Sequence, residues 1–317
     1  MRNAFVDGLV ELALADPSVM LLTADLGYNV LDPFAHEFPD RFINVGVAEQ
    51  NMAGIATGLA MTGRRVFIYS IATFATLRCF EQFRNGPALH NLPVCVVGVG
   101  AGYSYGNLGP SHFALEDVAI MRALPNVRVV APADPDQARS AVRAIGAFPG
   151  PAYLRLGKGG NPTVPGLDGR FAWNLPEIIR PGSEIAMIAT GAVAPETVAA
   201  ADRLALKGIQ ARVAVMAHLP PEPTEELTEL LRGCRGVLTV EEGRVTGGLG
   251  ALVAQTISQG GLNCRLQMAG ARGELAGPVG SREFMLAGQG LDADSLADQA
   301  LGLLKRKTAT AKLEPKS

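Results

Sequence analysis

The sequence predicts an α/β protein in which a parallel-sheet domain is followed by a smaller α/β domain. Helical and strand-like hydrophobic patterns alternate along most of the chain, which is typical of parallel α/β architecture. The 317 residues are long enough for about two domains. Hydrophobic residues make up 48% and charged residues 18% of the chain, so disorder is excluded and a large core can form.

The first domain is predicted to span residues 1–160. An amphipathic helix over residues 3–15 places Phe5 and Leu9 on one face, and Asp16-Pro17 ends it because the residue before a proline disfavours the helical conformation. The other elements follow from the same periodicities. The predicted strands are 19–23, 42–45, 65–69, 94–99, 126–130 and 152–156, and the further predicted helices are 48–62, 74–90, 113–124 and 135–146.

The second domain is predicted to span residues 183–305. Before it, residues 161–182 are rich in Gly and Pro and lack periodicity, which predicts a linker across the surface. Residues 306–317 are polar and are predicted to form a flexible tail. Within the domain the predicted strands are 184–189, 210–216, 236–240 and 263–267, and the predicted helices are 194–208, 224–232 and 247–259.

Charge and cysteine content exclude several functional classes. The formal net charge is −2 and there is no long basic run, so no nucleic-acid binding is expected. No apolar stretch is long enough for a membrane span. The four cysteines form no C-x-x-C and are widely spaced, which favours reduced thiols. An amphipathic segment follows Met1-Arg2-Asn3 directly, so no signal peptide is expected and a cytoplasmic location is predicted.

Candidate site residues follow the strands of the first domain, where an open parallel sheet binds ligands. Asp25 follows the first strand and Glu49 follows the second. Glu49 begins a helix rich in Ala, Gly, Leu and Met. It could simply complement the helix dipole. Alternatively, it could be a carboxyl group in an apolar cleft, where desolvation raises its pKa and lets it share a proton with a ligand nitrogen.

His112 and an apolar stripe are further candidates. His112 ends the glycine-rich run GNLGPSH, where it could satisfy a carbonyl or donate a proton at the mouth of the sheet. Phe74, Leu77 and Phe80 recur at a spacing of three. Such a stripe is usually core, but it also suits a wall against which a flat heterocycle stacks. The sequence has no G-D-G element, no P-loop and no G-x-G-x-x-G after a strand, so it offers no recognisable diphosphate cradle.

Several ordered segments together resemble the transketolase family. FINVGVAEQNMAGIATGLAMTG, YSIATFATLRCFEQFRN and GNLGPSHFALEDVAIMRALPNVRVVAPAD look like its pyrimidine-binding domain, and VEEGRVTGGLG is similar to its C-terminal domain. The likeness covers residues 3–305 and is greatest to the C-terminal subunit of split transketolases. It implies thiamine diphosphate as cofactor, and an N-terminal partner subunit carrying the diphosphate and Mg²⁺ site. It also implies a heterotetramer with two copies of each chain.

The resemblance also implies roles for single residues. Glu49 would hydrogen-bond the aminopyrimidine ring and favour the imino tautomer that removes the thiazolium proton, so that the cofactor can act as an electron sink. His112 would be the second catalytic residue, over the reacting centre. The residues implied to contact the cofactor are Asp25, Glu49, Phe74, Leu77 and Phe80, and those implied to contact the substrate are Asn29, Gly100, Leu108 and Lys158.

Three of the implied substrate positions depart from the family pattern. Gly100 and Leu108 match a histidine and an aspartate that contact sugar hydroxyls in long transketolases, so a more apolar pocket is expected. Lys158 matches a position that is usually Arg, and lysine keeps the charge but loses the bidentate fork. The donor is therefore expected to be a sugar phosphate held mainly through its phosphate, or a less hydroxylated 2-oxo acid.

The leading hypothesis is the pyrimidine-binding subunit of a transferase that moves a two-carbon ketol or acyl unit to an aldehyde-type acceptor. One alternative is the beta subunit of a 2-oxo-acid dehydrogenase, although the segment SHFALED looks more like a transketolase. The other is a non-catalytic scaffold subunit. Glu49 argues against a scaffold, because a scaffold need not retain a proton-sharing carboxylate.

Overall fold

The computed structural model describes residues 1–274 and 277–305, and it contains two sheets flanked by helices. The strands are β1 (Val19–Thr23), β2 (Phe42–Asn44), β3 (Arg65–Ile71), β4 (Val94–Val99), β5 (Arg128–Val130), β6 (Ala152–Leu156), β7 (Glu177–Arg180), β8 (Ile185–Thr190), β9 (Ala211–Val215), β10 (His218–Leu219), β11 (Gly236–Arg244) and β12 (Arg265–Ala271). The helices are α1 (Arg2–Ala15), α2 (Asp32–Glu37), α3 (Glu49–Met61), α4 (Phe80–Phe83), α5 (Asp117–Arg122), α6 (Pro135–Ala147), α7 (Ala194–Ala205), α8 (Glu225–Leu231), α9 (Leu249–Gln259), α10 (Arg282–Gly288) and α11 (Ala293–Lys305).

The first sheet has seven strands in the order β10-β5-β6-β4-β3-β1-β2, and all pairs except β10–β5 are parallel. The second sheet has five strands in the order β12-β11-β8-β9-β7, and only β7–β9 is antiparallel. The predicted fold class is confirmed. Strands β1, β4 and β6 are buried along their whole length, because helices cover both faces of a parallel sheet.

The predicted helix over residues 74–90 is divided into three short pieces. Phe74–Arg78 and Arg84–Ala88 are π-helical, and α4 lies between them. Pro87 lies inside the last piece and cannot donate a backbone hydrogen bond. π-Helical turns are rare and occur frequently at functional sites.

Two other predicted elements also differ from the structure. The helix predicted over residues 113–124 is confined to α5, because Ala114 forms a backbone bridge with Gly102 and is thereby held in an extended conformation. The predicted linker contains strand β7. Since β7 has four residues and lies between Pro176 and Pro181, it is too short to show a periodicity.

The two sheets share contacts across the predicted domain boundary. Strand β10 follows β9 in the chain but pairs with β5 of the first sheet, through His218 opposite Val130. Val118 of α5 belongs to the same buried cluster as Leu227 and Leu249, which lie on helices of the second unit. The predicted tail, 306–317, lies outside the described residues. Within residues 1–274 and 277–305, no helix has the length and apolar character needed to cross a membrane.

Candidate functional site

Glu49 is the first residue of α3, and its carboxylate is almost completely buried, with 1% exposed. Arg78 donates from Nη1 to Glu49 Oε2 at 2.6 Å, and the Ser70 hydroxyl at the end of β3 donates to Oε1 at 3.3 Å. A buried carboxylate needs such compensation, because removing an ion from water is costly. Each carboxylate oxygen therefore has one donor.

The predicted wall for a flat heterocycle, formed by the residues after β3, lies next to Glu49. The Arg78 guanidinium lies over the Phe74 ring, with Cζ 4.3 Å from the ring centroid. Phe80 is half-buried against the core, whereas Leu77 is 46% exposed. The side chains predicted at a spacing of three therefore do not share one buried face. The reason is that the π-helical turn and the short α4 change which side chains align.

Asp25 and the loop before Glu49 are joined by Asn44. The Asn44 Oδ1 accepts from the backbone N–H of Asp25 and of Gly46, both at 3.0 Å, and its Nδ2 donates to Asp25 Oδ1 at 3.0 Å. Tyr28 also donates to Asp25, and the bonds from Tyr28 and Asn44 lower the pKa of the Asp25 carboxyl. Asp25 is therefore an acceptor in a network at the carboxyl ends of β1 and β2.

His112 lies directly beside this wall. Its ring centroid is 5.2 Å from that of Phe74, in an edge-to-face arrangement, and 6.1 Å from that of Tyr105. Thr73, next to Phe74, donates from its hydroxyl to the Ser111 carbonyl at 3.2 Å. The segment after β3 and the turn carrying His112 are thus in direct contact.

Two cationic side chains, those of Lys158 and Arg2, line a cavity beside Tyr105. Lys158 Nζ lies 4.9 Å from the Tyr105 ring centroid, and a cavity of about 350 Å³ is lined by Lys158, Gly159, Arg2 and the start of α1. A cavity with two cationic side chains and a helix N-terminus favours an anion. A larger cavity of about 810 Å³ opens near β7 and α8, away from this chemistry.

Gly100 and Leu108 are placed differently from each other. Gly100 is buried with φ of 87°, and a Cβ there would lie 2.0 Å from Tyr105 Cε2, so the tyrosine ring fills the space that a side chain at this position would need. Leu108 is exposed on the surface, as is Asn29. The structure therefore brings Glu49 and His112 together around Phe74, connects His112 to Lys158 through Tyr105, and leaves Leu77, Leu108 and Asn29 at the surface.

Sequence reasoning missed Arg78, Tyr105, Arg2 and Asn44. Arg78 lies four residues after Phe74 in the run FATLRCF, and an arginine among the aromatic positions was a usable signal. Arg2 carried no such signal, because it lies 156 positions from Lys158 in the chain. Within the described ranges, no group of three or more His, Cys, Asp and Glu is placed to hold a metal ion.

The carboxyl edge of the parallel sheet thus presents a buried glutamate beside an aromatic ring. Among known families, the transketolase pyrimidine-binding domain matches residues 1–162 and the transketolase C-terminal domain matches residues 176–296. The chain belongs to the transketolase family.

Its relatives include separate C-terminal chains. It is 37% identical to the putative transketolase C-terminal section of Methanocaldococcus jannaschii, over 97% of each chain. It is 35% identical to one subunit of the apulose-4-phosphate transketolase of Actinobacillus succinogenes, over 86% of this chain and 87% of that one. A split gene transketolase solved as an inactive beta4 tetramer matches with a TM-score of 0.85 and 36% identity, over 96% of this chain and 97% of that one. This chain is therefore a transketolase subunit of the split kind, as the sequence predicts.

Proposed function

We propose that this chain supplies the aminopyrimidine side of a thiamine diphosphate site, and that a separate N-terminal subunit supplies the ligands of the diphosphate and of Mg²⁺. The complex, with two copies of each chain, transfers a two-carbon ketol unit from a phosphorylated ketose to an aldehyde. The position of Glu49 carries this proposal. It is a buried carboxylate that faces a planar group stacked on Phe74.

The contacts of Arg78 support the fit of the cofactor. Its guanidinium is planar, donates an N–H to Glu49 and lies over Phe74. A protonated aminopyrimidine has the same three properties, so it can take the same place. Because Arg78 is 42% exposed, it can turn outward into solvent when the ring enters. Glu49 would therefore exchange the Arg78 guanidinium for the ring of the cofactor.

The bound cofactor would supply an electron sink for the carbanion left by cleavage of the donor. The residues of this chain hold and move protons around it. Glu49 would share a proton with the ring nitrogen, while the Ser70 hydroxyl donates to its other oxygen. His112, in edge contact with Phe74, would act as the proton donor and acceptor for the hydroxyl of the substrate.

A phosphorylated donor is favoured over a 2-oxo acid by the cavity beside Tyr105. Lys158 and Arg2 supply two positive charges there, and the N-terminus of α1 adds a partial positive charge. The relative from Actinobacillus succinogenes is named for apulose-4-phosphate, a substrate that carries a phosphate. The exposed side chain of Leu108 would border the substrate and provides no partner for a hydroxyl group.

The test is reconstitution with an N-terminal subunit, thiamine diphosphate and Mg²⁺. We expect the mixture, and not this chain alone, to transfer a ketol unit from xylulose 5-phosphate, and light scattering to give two copies of each chain. Robust turnover by the isolated chain, or a stable one-to-one heterodimer, would contradict the proposed assembly. Reduction of an artificial acceptor with a 2-oxo acid would favour a dehydrogenase subunit instead.

The pocket itself is tested by Leu108→Asp. A hydroxyl left without a partner costs roughly 1–3 kcal/mol. We therefore expect the added carboxylate to improve the use of xylulose 5-phosphate relative to pyruvate. An unchanged ratio would show that Leu108 does not border the sugar, and a decrease would contradict the expected hydroxyl contact.

A further inference from the structure

The turn that carries His112 belongs to a longer segment, residues 100–115, which we call the substrate loop. Its tip holds Tyr105, Leu108 and His112. At its base, Gly102 and Ala114 exchange two backbone hydrogen bonds of 3.0 Å each. This bridge closes the loop, so the orientation of the tip depends on what holds the base.

Strand β11 of the second sheet holds that base. Glu242 Oε1 accepts from the Tyr103 backbone N–H at 2.8 Å, and the Arg244 backbone N–H donates to the Leu115 carbonyl at 2.9 Å. The approach is close: a Cβ on Gly102 would lie 2.3 Å from Glu242 Cγ. Both sides of the loop base are therefore bound to the C-terminal domain.

Glu242 is itself held rigidly. Its carboxylate is 1% exposed and accepts from Arg282 Nε at 3.0 and 3.1 Å and from Nη2 at 2.6 Å. Arg282 Nη2 also donates to the Ala192 carbonyl at 3.0 Å, which connects the pair to the turn after β8. Because this paired arginine is anchored at a second point, Glu242 has little freedom to move.

Arg155 on β6 also holds the base of the substrate loop. Its Nη2 donates to the Ala114 carbonyl at 2.6 Å and to the Glu242 backbone carbonyl at 2.8 Å. One guanidinium thus joins the loop to β11 directly. Glu49, by contrast, is bonded to Ser70 and Arg78 and has no hydrogen bond to any residue of β11 among the described residues.

We propose that Glu242, held by Arg282, is a positioning residue that fixes the substrate loop so that His112 and Tyr105 face the donor. The C-terminal domain thereby takes part in donor binding without touching the donor. This inference rests on the proposed function, because it requires the tip of the substrate loop to border the phosphorylated ketose.

The experiment measures donor KM and thiamine diphosphate Kd for variants in the reconstituted complex. We expect Glu242→Ala to raise the donor KM or lower kcat/KM by roughly 10²-fold, because small misplacements of positioning groups cost this much. The cofactor Kd should stay at the wild-type value. Glu242→Gln keeps an acceptor for the Tyr103 N–H, so it should recover a large part of kcat/KM. A matched control is Asp294→Ala, which breaks the Arg203–Asp294 pair elsewhere in the same domain and should leave both constants unchanged.

The inference is wrong if Glu242→Ala lowers the melting temperature while kcat/KM per cofactor-binding site stays at the wild-type value. If Glu242→Ala does not fold, Arg282→Lys decides, because it keeps the charge but loses the planar guanidinium that bonds Glu242 through two nitrogens. It should reproduce part of the loss in kcat/KM, and wild-type kinetics in a folded Arg282→Lys would overturn the inference. Failure of the proposed function is distinguishable, since the wild-type complex itself would then not use a phosphorylated ketose.

Discussion

Two arginine–carboxylate pairs of nearly equal length differ in their access to solvent. Arg78 lies 2.6 Å from Glu49 and Arg155 lies 2.7 Å from Asp117, and both carboxylates are 1% exposed. The arginines differ: the side chain of Arg78 is 42% exposed and that of Arg155 is 2% exposed. The exposure of the cation decides whether a buried carboxylate is available to a ligand or is permanently neutralised.

The pair of Arg155 and Asp117 belongs to a network that has no route to solvent. Tyr153 donates to Asp117, and Arg155 bonds two backbone carbonyls besides the carboxylate. Burial alone would lower the pKa of Arg155, but Asp117 outweighs burial and raises it. A single missing member leaves a buried charge without a partner, which is far more costly than opening an exposed pair.

The largest effect is expected at the pair of Arg78 and Glu49, whose arginine is accessible to solvent. Glu49→Gln should reduce turnover of the reconstituted complex by up to about 10⁴-fold, because under the proposed function a proton shared with the cofactor ring would precede every later step. Single-turnover kinetics measure the loss, and circular dichroism should show an unchanged fold. Glu37→Gln, on the exposed face of α2, is the control and should be fully active. A Glu49→Gln complex with near-normal rates would refute the assignment.

The buried pair of Arg155 and Asp117 should affect the free energy of unfolding rather than turnover. Arg155→Met leaves Asp117 buried and unpaired, so we expect a loss of about 3–5 kcal/mol in the free energy of unfolding. Arg139→Met breaks exposed pairs with Asp7 and Glu11 and should cost no more than about 1 kcal/mol. Urea unfolding measures both values. Equal losses in the two variants would remove the contrast between buried and exposed pairs.

A pH effect on stability should come from His218 on β10. Burial, together with Arg128 and Arg122, lowers the pKa of His218 from 6.5 to about 3. The unfolded chain therefore binds a proton that the folded chain does not, and stability falls as the pH drops below 6.5. At pH 5 the expected loss is about 2 kcal/mol. His218→Asn should reduce this slope and His90→Asn should not. An unchanged slope in His218→Asn would contradict the assignment.

The smallest expected effect is on thiamine diphosphate affinity when the pair of Arg78 and Glu49 is opened. Removing Arg78 frees Glu49 and the Phe74 face, and opening a pair whose cation is 42% exposed costs about 1 kcal/mol. Arg78→Ala should therefore tighten thiamine diphosphate binding by up to roughly fivefold. Calorimetric titration of the complex measures this affinity. Weaker binding by Arg78→Ala would mean that Arg78 holds the cofactor rather than competes with it.

The sequence by itself determined ten of the twelve described strands and the place of Glu49. Continuous apolar runs such as residues 19–23 and 94–99 are readable because a strand covered on both faces has no polar side. Glu49 was readable because a lone carboxylate at the start of an apolar helix stands out locally, and the ordered motifs around it resemble one family. Periodicity and motif are both short-range properties of the chain.

Only the tertiary structure decided which partners surround these residues. Arg78 on Glu49, Arg2 beside Lys158 and Glu242 beneath the substrate loop join positions from 29 to 156 residues apart. Such contacts leave no periodic pattern, because each residue alone looks like an ordinary surface charge. Strands β7 and β10 were also decided by the tertiary structure. They have four and two residues, and a segment this short forms a strand only when a neighbouring strand provides the hydrogen bonds.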